Sequence, residues 1–333
     1  INRHDIEAAI RVALAVGLPL LALYALGRLD LAVYAAFGGL AMLYGHHEPP
    51  KQRVETQIIA GAALVVTIAA AMVWGAARAP LPMLGLLLAI TVVASTTLGA
   101  AMRWVPRGEM FFVLVLLIIA NIPTTWARIP LCLAVAGGGA AFSVFLAWLN
   151  SRMARESASG EGPATVGWRH RLLDGYAALD RGQHVILIAA STSGVCVAWA
   201  LALVFGIGNP FWAPIVVAAL MPALAATDVW RRTIYLLLGT LGGVGLATFL
   251  FSFDPSHLTL ILIIIFCQAA AEIAISYNYG VALLFFTPLA IGMSNLSHNQ
   301  PWAPLLVDRL VEAAVGVTVA FLTIFVGRKI LKV

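Results

Sequence analysis

Residues 258–276 read LTLILIIIFCQAAAEIAIS, long enough to cross a bilayer as one helix and carrying a single charged side chain. Such runs recur along the whole chain, and they leave few ways for it to fold. Hydrophobic residues make up 62% of the sequence and charged residues 11%. A soluble domain carries about 25% charged residues, so this chain lacks the polar material for a water-facing surface. The runs are continuous, as in VALLFFTPLAIG (281–292), rather than alternating, which favours helices over a β-barrel. The expected fold class is an all-α polytopic membrane protein.

Twelve apolar segments stand out, at about 6–26, 31–45, 54–77, 81–102, 110–122, 129–149, 185–207, 211–226, 233–253, 258–276, 280–293 and 304–326. If all twelve cross and the N-terminus is cytosolic, sixteen Lys and Arg residues fall on the cytosolic side and four (Arg28, Arg78, Arg128, Arg309) on the other. That asymmetry predicts both termini inside. It also accounts for the net charge of +5 without nucleic acid as a partner. The opening INRHDIEAAIR leads straight into an apolar helix, so no cleavable signal peptide is expected. Cys132, Cys196 and Cys267 all lie in apolar segments without metal-ligand spacing, and neither a metal nor a cofactor is expected.

The longest polar stretch, residues 151–182, begins with a Ser/Gly/Glu/Pro-rich run and continues into a short interfacial helix expected over Trp168–Asp180. It separates a first six-helix unit, 1–150, from a second, 183–333. The halves are similar: VYAAFGGLAM (33–42) aligns with FWAPIVVAAL (211–220), Arg53 with Arg231, and Gly61 with Gly239, all at an offset of 178. Six crossings per unit make these parallel repeats. In each half the second and fifth segments are short, and Pro210, Pro214, Pro222 and Pro288 fall on or beside them. Short, proline-bearing segments at matching places are a pointer to a transport site, although packing by neighbours also explains short helices.

The stretch NPFWAPIVVAALMPALAATDVWRRTIYLLLGTLGGVGLA (209–247) resembles the signature of the fusaric acid resistance and aromatic acid exporter family. A Trp-Ala-Pro-bearing short helix (Trp212, Ala213, Pro214) leads to Arg232, followed by Gly239-Thr240 and Gly242-Gly243. Tyr34, Arg53 and Gly61 form a worn copy in the first half. The resemblance implies a bacterial inner-membrane exporter of organic anions, typically aromatic carboxylates. It also implies kinship with plant aluminium-activated malate channels, in which two six-helix subunits surround one pore. Many members carry a large cytosolic domain with each membrane half, where this sequence has only the linker and a short end at Val333.

On this reading Arg53, Arg231 and Arg232 line the cytosolic mouth and draw in carboxylates, or simply anchor helix ends at lipid phosphates. Tyr34 and Trp212 occupy matching outer ends, as stacking platforms or as members of an aromatic belt. Glu272, one turn from Gln268, either carries a coupling proton or pairs with an arginine. Glu109 begins the short fifth segment, where a carboxylate also suits the helix dipole. Asp308, Arg309 and Glu312 share one helix face as a local charge network.

In YGHHEPPKQR (44–53), His46 and His47 project about 100° apart, a poor arrangement for one metal, and the aligned LAATDVWR (224–231) contains no histidine. They are expected to form a pH-sensitive lip. No carboxylate pair, nucleophile with base, or metal set marks an enzyme, so none is expected. A passive anion channel is the nearer alternative, with a membrane-embedded enzyme or a scaffold subunit behind it. The expected partners are the lipid bilayer and a small organic anion, with homo-oligomers or additional efflux subunits left open.

Overall fold

The computed structural model describes all residues except 1, 2, 46, 47, 106, 107, 158–166, 226–228, 276, 299, 300, 332 and 333. Among the described residues every regular element is helical. In chain order these are α1 (Arg3–Ala25), α2 (Ala32–Gly39), α3 (Pro50–Ala76), α4 (Leu81–Ala101), α5 (Met110–Ala120), α6 (Ile129–Ser157) and α7 (Trp168–Ala177). They continue with α8 (Arg181–Val204), α9 (Trp212–Leu220), α10 (Val229–Phe251), α11 (His257–Ile275), α12 (Tyr279–His298) and α13 (Trp302–Leu331). Each of the twelve apolar segments coincides with a helix. Among the described residues, seven helices are long and apolar enough to cross a membrane.

Packing divides the chain into two compact units, one of residues 1–33 with 185–333 and one of 34–184. This grouping does not follow chain order, because α1 packs on α11 and so joins the unit built from the second half. The expected interfacial helix is α7, which belongs to the 34–184 unit and packs there on α4 and α3. Gly175 lets it sit against the carbonyl of Ala101, where any Cβ would strike backbone.

In the 34–184 unit, α3 buries Gln57, Ala60, Leu64, Ile68 and Met72, a stripe at helical spacing, against α5 and α6. The 1–33/185–333 unit repeats this order of partners, since α10 packs on α12 and α13, and α11 on α12. The short helices are the most enclosed elements. All nine residues of α9 are buried, as are eight of the eleven of α5. A helix apolar on every side belongs in a core, where its length need not match the bilayer. By contrast α10 and α13 expose Leu238, Leu241, Phe249, Leu322 and Phe325, a surface suited to lipid.

The helix α2 is continued by a 3-10 turn over Leu40–Leu43, and α9 by one over Met221–Ala225. The apolar run of α12 is short as expected, with Gly280–Leu296 among the shorter apolar helices, but the helix itself is longer. It runs 20 residues through Pro288, because the polar tail Ser294–His298 continues the helix beyond the apolar run. Apolarity marked where a helix could be buried, and backbone hydrogen bonding does not stop where apolarity does.

Candidate transport site

In the 34–184 unit the candidate residues gather around the turn into α3. Gly45 adopts φ +77°, a left-handed conformation that suits glycine, and Pro50 opens α3 where its missing N–H costs nothing. Arg53, one turn in, folds back on that turn: Nε donates to the Gly45 carbonyl (3.2 Å) and Nη2 to the Glu48 carbonyl (3.3 Å). The guanidinium is buried and holds the turn. His46 and His47 lie outside the described residues.

The same turn is tied to the linker helix. Glu48 Oε2 accepts from Thr56 Oγ1 (2.6 Å) and pairs with Arg171 Nη1 of α7 (3.2 Å). Arg171 Nη2 donates to Thr56 Oγ1 (3.1 Å) and lies 3.8 Å from Glu55 Oε2. Arg171 is 15% exposed, so this is a part-buried network rather than a surface pair. Arg171→Ala is expected to free α7 at a cost of roughly 1–3 kcal/mol. Limited proteolysis with a glutamate-specific protease should then cut the linker faster; an unchanged rate and melting temperature would show that the ion pairs do not hold it.

Above the turn, Tyr44 is fully buried, with its ring 5.0 Å from Trp104 and 6.2 Å from Phe112. Gln57 Nε2 donates to the carbonyls of Met42 (3.3 Å) and Tyr44 (3.2 Å). Glu109 is buried at the start of α5 but makes no side-chain cap there; its Oε2 accepts from Thr96 Oγ1 of α4 at 3.0 Å. Tyr34 is buried, with its hydroxyl bonded to Thr124 and Cys132.

In the 1–33/185–333 unit the site centres on the N-terminus of α9. Trp212 is 3% exposed, and the Arg309 guanidinium lies over its ring, 4.6 Å from the centroid. The Trp212 N–H donates to Glu312 Oε2 at 2.9 Å, and the Ala213 N–H also bonds this carboxylate. Asn209 Nδ2 donates to Asp308 Oδ2 at 2.9 Å. The three charged residues expected to form a local network on α13 therefore serve the start of another helix. Pro214, in the first turn of α9, has no N–H to satisfy.

Arg231 is exposed at the other end of the unit, its Nε donating to Tyr235 Oη one turn on (3.1 Å). The side chain of Arg232 is outside the described set. Glu272 is 9% exposed on α11, and Arg11 of α1 supplies the opposite charge that acts on it. Nothing local to Glu272 marks Arg11 as that partner, because the two lie on helices far apart in the chain.

Buried short helices, ion pairs set within apolar helices and wide apolar outer faces together define a multi-pass membrane protein. Residues 197–323 match the family model described as "Fusaric acid resistance protein-like", which bears out the resemblance carried by residues 209–247. The chain is also 30% identical over 140 residues to the uncharacterized membrane protein YvaC of Bacillus subtilis (strain 168). That match covers 41% of this chain and 22% of YvaC. No solved structure matches.

Proposed function

We propose that this protein exports small organic anions, with aromatic carboxylates as the favoured class, across a bacterial inner membrane. The reading takes both termini as cytosolic and the twelve apolar segments as two parallel repeats. The observation that carries it is the pairing of Trp212 with Arg309 at the first turn of α9. An indole face, a guanidinium and the positive end of a helix meet there, and together they match a ring bearing a carboxylate. The fusaric acid resistance protein-like match over the same residues supports it. Glu272 and Glu109 are the carboxylates proposed for proton coupling, with Arg53, Arg231, Arg232, Tyr34, Pro214, His46 and His47 along the route.

Sealed proteoliposomes test this, with benzoate and malate compared with and without a proton gradient. Uphill benzoate movement driven by the gradient is the expected result. Downhill current alone would make the protein a channel, and no flux of either anion would refute transport of this class. Trp212→Ala should lower benzoate flux about tenfold, the upper end of a stacking contribution, while malate flux changes less.

A further inference from the structure

The start of α9 is satisfied by one side chain from another helix. An α-helix leaves its first N–H groups without partners inside the helix. Here Trp212 and Ala213 both donate to Glu312, Pro214 has no N–H, and Ile215 N–H bonds the Phe211 carbonyl at 3.4 Å. Glu312 thus takes the place an anion would occupy at a helix N-terminus.

Glu312 is 0% exposed, and its second oxygen, Oε1, has no hydrogen-bond partner among the described residues. A buried carboxylate with an unmatched oxygen is costly unless the oxygen gains a proton or a donor. The charged groups acting on it are Arg309 and Asp308, both on α13. The other elements packed on α13, which are α9, α10 and the 3-10 turn Met221–Ala225, contribute no further charge to it among the described residues.

We propose that Glu312 is a proton-binding site that exchanges places with the transported anion. As a carboxylate it holds the Trp212 and Ala213 amides. A proton from water, taken up on Glu312, removes its charge and loosens that hold. The carboxylate of the anion then takes over the two amides, so the helix end faces one negative charge before and after. The proton returns to the side it came from when the anion leaves. The exchange rests on the transport reading above; the proton site does not.

Pulsed hydrogen exchange on the full chain in nanodiscs, between pH 8 and pH 5, tests the proton site. Protection of the amides at 212–213, taken relative to intrinsic rates, is expected to fall as the pH drops in the native protein. In Glu312→Gln, which keeps the shape and an acceptor but cannot titrate, it should not change with pH. Protection that ignores pH in the native protein overturns the proton site, and that arm needs no variant.

Calorimetry of benzoate binding in buffers of different ionisation enthalpy tests the exchange. Uptake of about one proton per benzoate is expected in the native protein and none in Glu312→Gln. Uptake that persists in the variant overturns the exchange. A native protein that titrates but binds no benzoate upholds the proton site and refutes both the exchange and the proposed substrate class.

Discussion

Arg11→Met is expected to cost about 1–3 kcal/mol, because it removes an opposite charge that acts on Glu272 in an apolar helix interface. The Arg11 side chain is 13% exposed and Glu272 is 9% exposed, so neither has ready access to water. Arg11 also lies 4.0 Å from Glu7, but that carboxylate is 62% exposed and contributes little. Glu272→Gln should be milder, since glutamine keeps the shape and an acceptor oxygen at that position. The double variant should recover part of the loss, because two neutral side chains suit an apolar interface better than a buried charge does. Thermal unfolding of the purified protein in detergent checks this. If the double variant loses as much as the two single variants together, the pair is not coupled. The effect bears on architecture, since α1 joins its unit by packing on α11, where the Gly17 backbone closely approaches Ile265.

Much of the fold was legible because apolarity and helix formation coincide in such a chain. Each run long enough to be buried had to satisfy its own backbone, and each did so as helix. The linker helix was legible too, from Trp168 and the basic residues after it. What could not be read was partnership across the sequence. Arg11 and Glu272 are far apart in the chain, and nothing local marks them as neighbours. The same holds for Arg171, which looked like a cytosolic charge and instead ties α7 to Glu48 and Thr56.

The candidate site was read by residue type more reliably than by role. Trp212 suits a stacking platform by residue type; its ring is already covered by Arg309, so an aromatic substrate must displace or share that guanidinium. Arg53 and Arg231 align in sequence but behave differently. One is buried on its own turn, and the other is exposed beside Tyr235. The i,i+4 spacing of Glu312 to Asp308 suggests contacts along one helix and hides its bond to α9. A missing N–H at Pro214, with only two amides left to satisfy, was the available signal that an acceptor had to come from elsewhere.

The run Gly137-Gly138-Gly139 on α6 offers the sharpest test of how the short helices are seated. A Cβ on Gly139 would strike the Ala35 carbonyl of α2, whereas Gly137 and Gly138 face open space. Gly316 on α13 holds the corresponding position against α9, where a Cβ would come 2.6 Å from the Ala213 carbonyl. Backbone cannot move aside as a side-chain tip can, so Gly139→Ala and Gly316→Ala should each cost about 1–3 kcal/mol through overpacking. Leucine at either position should prevent the short helix from docking and abolish recovery of folded protein. Gly138→Ala should instead be neutral or stabilise by up to about 1 kcal/mol, because alanine favours helix over glycine. Fluorescence-detected size exclusion after a heat step separates these outcomes. Equal behaviour of Gly138→Ala and Gly139→Ala would mean that α2 does not rest on α6 through that glycine. A matching sensitivity at Gly139 and Gly316 would indicate that each half seats its short helix on its own last helix in the same way, which is the packing that two repeats of one ancestral unit require.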